Sequence, residues 1–169
     1  MTVMTLRFGE IEIDESKIIG MPDGMLGFPD RRFIILSPDN QGPFFWLQSL
    51  DTPELAFVVT DPATFVQGYA VKLTPAEYER IELEQDSEVI ILTVVTMARE
   101  VTDITFNLQG PVVVNPGKMI AKQIVLEEGK YGTKYHIFTR STPSQLSIED
   151  SRSGQTPSVD RITTICCNT

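Results

Sequence analysis

Apolar and polar residues alternate with a period of two along most of the chain's first 126 residues, the signature of strands with one covered face. Phe8, Ile11 and Ile13 stand against Glu10 and Glu12 around Gly9, which with Met1 to Phe8 reads as a hairpin. Lys17 to Ile19 adds a short strand. Gly20 to Pro29 is too dense in glycine and proline to be anything but loop. It carries Met21, Met25, Leu26 and Phe28, which either fold back on the core or face a partner; folding back is the expectation, because large apolar side chains are usually buried. Arg32 to Ser37 is a compact strand, followed by a turn from Pro38 to Pro43.

Phe44 to Leu50 and Leu55 to Thr60 are rich in aromatic and β-branched residues, and Asp51-Thr52-Pro53-Glu54 between them is built from turn formers. Pro43 and Asp61-Pro62 bound this antiparallel pair, since proline lacks the amide proton that a ladder needs. Tyr69 to Leu73 alternates again. Thr74-Pro75-Ala76-Glu77 then supplies a capping threonine, a proline at the first helical position and a glutamate that can reach back to the cap, so a short helix runs from Pro75 to about Leu83. Glu88 to Met97 is apolar on both parities and is expected to be covered on both faces. Ile104 to Leu108, Val112 to Val114 and Lys118 to Leu126 complete the strands. Many short strands, compact turns and one helix predict a mainly β protein, an antiparallel sheet curled into a small barrel or sandwich.

Past Glu127 the pattern fades, and from Arg140 the chain is polar and poor in large apolar residues. The expected division is a domain over residues 1–139 and a flexible tail over 140–169. Ile162 and Ile165 stand out in that tail, and nothing in the sequence explains them.

Composition narrows the function classes. With 169 residues and 41% hydrophobic content the chain is long enough for one domain with a substantial core. A net charge of -9 argues against direct nucleic-acid binding, which relies on lysine and arginine at the phosphates; it either suits a basic protein partner or only keeps the protein soluble. No apolar run approaches the roughly 20 residues that span a bilayer, and the amino terminus lacks the order of a signal peptide, so a cytoplasmic protein is expected. Cys166 and Cys167, adjacent and near the end, neither staple the domain nor supply the four ligands of a zinc site.

The chain's chemistry points away from catalysis. His136 is its sole histidine and has no cysteine, serine motif or second histidine to work with; phosphate, dinucleotide and nucleophile-elbow motifs are absent. Glu10 and Glu12 share a strand face, but acid-base work would need them in a desolvated cleft, and charge on a strand edge also discourages aggregation. No cofactor is expected. Trp46 fills a core or anchors an interface; strand parity sets it beside Phe44, Gln48 and Leu50, a mixture that suggests a partly exposed face. Asn107 and Asn115 read as turn-forming or edge-satisfying residues.

Several ordered stretches together resemble the bacterial flagellar assembly factor FliW family. They are Phe8-Gly9-Glu10-Ile11-Glu12-Ile13, Met21-Pro22-Asp23-Gly24-Met25-Leu26-Gly27-Phe28, Phe45 to Asp51, Ala56 to Pro62, and Thr105 to Asn115, with Met21 where the family's phenylalanine usually stands. The resemblance implies a small barrel-like protein that is not an enzyme, acts as a monomer, and binds flagellin. When flagellin is exported, the freed factor would bind the carbon storage regulator CsrA, an RNA-binding translational repressor, and relieve repression of flagellin synthesis. A chaperone dedicated to flagellin, without the regulatory branch, is the alternative. Among the polar and aromatic members of the motifs, Trp46, Gln48, Asp51, Glu54, Asp61 and Asn107 are the expected partner-binding residues. Asp51, Glu54 and Asp61 would supply part of the negative field that weakens RNA binding by the repressor.

Overall fold

The computed structural model describes residues 1–37, 42–127 and 130–138, together with Ile162, Ile165 and Cys167. The strands are β1 (Thr2–Thr5), β2 (Gly9–Glu12), β3 (Ile19–Gly20), β4 (Arg32–Leu36), β5 (Phe44–Ser49), β6 (Ala56–Thr60), β7 (Ile90–Thr96), β8 (Thr105–Phe106), β9 (Val112–Asn115), β10 (Ile120–Gln123) and β11 (Tyr135–His136). The helix α1 spans Pro75–Arg80.

Strand pairing closes a ring. From β3 the ladder runs through β4, β5, β6, β7, β9 and β10, and β10 returns to β3 in parallel through Ile120 and Gly20. Closure removes the unpaired edges that an open sheet would expose. The long β7 allows it: Ile90 to Leu92 pair with β9, while Val95 and Thr96 on the same edge pair with β8. That double duty explains the apolar run on both parities of this strand.

Phe33, Ile35, Phe45, Leu47, Val59, Leu92, Val112 and Val114 fill the barrel. Met21 and Met25 fold in from the Gly20–Pro29 loop as expected, whereas Leu26 is 63% and Phe28 40% exposed. The outward faces of β4 and β5 are covered in turn by the separate β1–β2 hairpin, which packs Ile11 and Ile13 on Ile34 and Leu36, with Phe8 and Trp46 at its margin. The expectation of a partly exposed face at Trp46 and Gln48 therefore fails at Gln48, which has no exposed surface. The hairpin supplies a second layer that alternation along β5 does not reveal.

The helix starts where the sequence places it. Thr74 Oγ1 accepts the amide of Glu77, and the Glu77 carboxylate accepts the amide of Thr74, a complete capping box. Tyr69–Leu73, expected as a strand, pairs with no described strand. Its alternation is spent on side-chain packing: Tyr69 joins Phe106 and Leu108, while Val71 and Leu73 lie against the cluster of Ile81, Val113 and Ile124. The Tyr69 hydroxyl donates to the Leu108 carbonyl at 2.7 Å. The turn at 38–41, residues 128–129, Cys166 and nearly all of the polar tail lie outside the described residues.

Candidate partner-binding surface

The β5–β6 turn is held from within. Ser49 Oγ donates to the Asp30 carboxylate and accepts the amides of Asp51 and Thr52, both at 3.0 Å. One oxygen of Asp51 accepts the amides of Arg31 and Arg32 at 2.8 and 3.0 Å, and the other meets Arg32 Nε at 2.7 Å. Partial burial pushes the Asp51 carboxyl up, but these amides and the Arg32 guanidinium outweigh it and hold the group below the usual carboxylate range. Asp51 thus spends its charge on its own neighbours at the surface, where it lines a shallow depression with Pro29, Asp30, Arg31, Arg32 and Thr52. Glu54 sits exposed on the same turn.

The other expected residues scatter. Gln48 is sealed under the hairpin, where its Nε2 donates to the carbonyls of Ser49, Pro53 and Leu55, and it touches no surface. Trp46 is half-buried, with the Phe8 ring edge-on at 5.8 Å and the Arg7 guanidinium 4.2 Å from its centroid. Asp61 lies at the far end of β6 and accepts the amide of Ala63, capping the short turn Pro62–Thr64. Asn107 accepts the amide of Gly110 and shapes the turn between β8 and β9. Asp51 and Glu54 are neighbours, and the six residues form no single face.

A stronger candidate lies on α1 and the turn after it. Glu77, Glu79, Glu82, Glu84, Asp86 and Glu88 crowd a stretch whose only basic residue, Arg80, is taken up by Asp23. The Asp23 carboxylate bridges Arg80 Nη2 at 2.6 Å and Lys122 Nζ at 2.8 Å, tying the Gly20–Pro29 loop to the helix and to β10. The hydrogen bonds from Arg80 and Lys122 hold it far below the ordinary carboxylate range. All six acids except Glu77 are exposed, and Tyr78 is 40% exposed beside them. The dense acidic run was visible in the sequence; the loss of its one basic residue to Asp23 was not, because that pair joins positions 57 residues apart.

Among the described residues no group of three or more histidine, cysteine, aspartate or glutamate side chains could hold a metal ion. His136, on the exposed β11, places Nδ1 3.0 Å from the Thr102 carbonyl. No described helix is long and apolar enough to cross a membrane.

A family description, FliW protein, matches residues 2–137, the span that holds the whole barrel and its hairpin. The chain belongs to the FliW family. It is 50% identical over 155 residues to a flagellar assembly factor FliW of Geobacter sulfurreducens, covering 92% of this chain and 98% of that one. A flagellar assembly factor FliW of Geotalea uraniireducens is 52% identical over 149 residues, 88% and 91% of the two chains. The crystal structure of a flagellar assembly factor FliW superposes with a TM-score of 0.76 at 32% identity, covering 84% of this chain and all of that one. The FliW barrel expected from the sequence is therefore the observed fold.

Proposed function

We propose that the protein is a flagellar assembly factor that works by binding other proteins, not by catalysis. It holds flagellin in the cytoplasm and, when free of it, binds CsrA as a monomer and antagonises its repression of flagellin synthesis. The observation that carries this reading is membership of the FliW family, shared over nearly the full length of relatives named flagellar assembly factors. The charge distribution supports it. An acidic face docked beside a basic RNA-binding surface lowers the local potential that attracts phosphate, so it weakens RNA binding without filling the RNA site.

Within that reading the acids around α1 supply more of the field than the β5–β6 turn, because Asp51 is compensated by Arg32 and Asp61 lies at the other end of the strand. The test is a calorimetric titration with CsrA, with and without excess flagellin, on the wild type and on two variants. E79Q/E82Q/E84Q is expected to weaken CsrA binding and flatten its salt dependence, and D51N/E54Q to do so less. Binding that flagellin abolishes supports the partner switch. No binding to CsrA reduces the function to a flagellin chaperone, and equal effects of the two variants refute the placement of the field.

A further inference from the structure

Ile162 and Ile165 belong to the central core. Ile162 has no exposed surface and Ile165 only 4%, and both pack in the cluster that fills the barrel. Both carry helical backbone, one turn apart. Cys167 then runs alongside β4: its amide donates to the Ile35 carbonyl at 3.0 Å, and its carbonyl accepts the Ser37 amide at 3.5 Å.

The opening for this contact is built into the ring. β3 has only two residues, paired with Arg32 and Phe33, so β4 beyond Phe33 has no strand on that side. A free edge next to an apolar mouth takes an added strand through backbone hydrogen bonds and side-chain pockets. The segment that fills it lies beyond residue 137, where the family match ends, and it is joined to β11 through residues 139–161, which contribute mostly serine, threonine and charge.

We propose that the barrel mouth beside Ile35–Ser37 is a peptide-docking site, occupied in the free protein by the chain's own Ile162, Ile165 and Cys167. The ligand class it takes is a short segment with two aliphatic residues one helical turn apart, followed by an extended residue that pairs with β4. The chain's own segment is a tethered, displaceable ligand of this class. A partner segment of the same pattern competes with it, so docking there is gated by an internal competitor. The inference stands on the packing of the tail and does not depend on which proteins the factor binds.

The full-length chain carrying Cys166→Ser has Cys167 as its only thiol. Its rate of reaction with a thiol reagent reads release of the segment, while hydrogen exchange of the amides in the β7–β9 ladder reads the barrel, since Trp46 packs in the same cluster as Cys167 and would respond to the release itself. A tether of this kind supplies an effective concentration on the order of 1 mM, so the competitor is a synthetic peptide of residues 158–169, with Cys166→Ser and Cys167→Ser, at several millimolar. The labelling rate is expected to rise about tenfold with exchange of the β7–β9 ladder unchanged, and the same peptide carrying Ile162→Asp and Ile165→Asp is expected to do nothing. A rate indifferent to the peptide, or one that rises only as the β7–β9 ladder loses its protection, overturns the proposal.

The full-length variant I162D/I165D/C166S gives a second reading. It is expected to label at the rate of a free thiol while keeping a cooperative barrel transition; loss of that transition would make the segment an integral part of the core and overturn displaceability. Protection of Cys167 that grows with protein concentration, together with a dimer in light scattering, would assign the segment to a second copy and overturn occupancy within one chain.

Discussion

Asn115 closes the family-like stretch at the end of β9, and its amide makes four contacts. Nδ2 donates to the carbonyls of Ile81 and Glu82 at 2.9 Å each; Oδ1 accepts the amides of Gly117 and Lys118 at 3.1 and 3.3 Å. The residue is 5% exposed, so water does not replace these partners easily. It satisfies the carbonyls at the end of α1 and shapes the turn into β10 at once. Asn115→Ala removes two good hydrogen bonds worth about 1 kcal/mol each and strands the buried Ile81 carbonyl, for a total of about 3 kcal/mol. With a urea dependence of about 2 kcal/mol per molar for a domain of this size, the unfolding midpoint should fall by about 1.5 M, read by far-ultraviolet circular dichroism and Trp46 fluorescence. Asn115→Asp keeps the two acceptor contacts but turns a carboxylate on two carbonyls, so it should cost at least as much. A loss below about 1 kcal/mol for both variants would refute the claim that this side chain joins helix to barrel.

Two further outcomes follow from the loop that closes the barrel near Phe28. Gly24 has φ +67°, and a Cβ there would sit 2.5 Å from the Phe28 carbonyl oxygen, whereas Gly27, at φ +87°, has open space. Gly24→Ala should therefore cost more than about 2 kcal/mol and Gly27→Ala about 1, measured by urea midpoints; equal losses would show that the close approach is not a constraint. Asp23 has its folded pKa lowered by Arg80 and Lys122, so its contribution is present above the unfolded value of about 3.9 and is lost as pH falls below it. The stability gap between wild type and Asp23→Asn should be full at pH 6 and narrow between about pH 4 and pH 2; a gap that does not change with pH would assign the effect to packing instead of charge.

Local features were legible because their causes are local. The capping box, the turn at Asp51 to Glu54 and the turn-forming role of Asn115 each rest on residue types whose side chains bond their own backbone neighbours. The reading of a partly exposed face on β5 holds at Trp46, which is half-buried, and fails at Gln48, since the layer over this face comes from the β1–β2 hairpin, which alternation within β5 does not encode. Tyr69–Leu73 has a strand's alternation, but its apolar side chains are taken up by Phe106 and Leu108 on one side and Ile81, Val113 and Ile124 on the other, which alternation alone does not distinguish from strand pairing.

Periodicity, turn chemistry and ordered motifs are properties of neighbours along the chain, so the strand-rich class, the helix start, the acidic balance and the family resemblance were readable from the residues alone. The tertiary structure decided where the arginines are spent, by turning Arg80 to Asp23 and Arg32 to Asp51. It also decided the place of Ile162 and Ile165, two apolar residues in a polar stretch. Their environment is the interior of a barrel closed by strands many residues away, and burial there depends on a vacant edge of β4 that exists only because β3 is short.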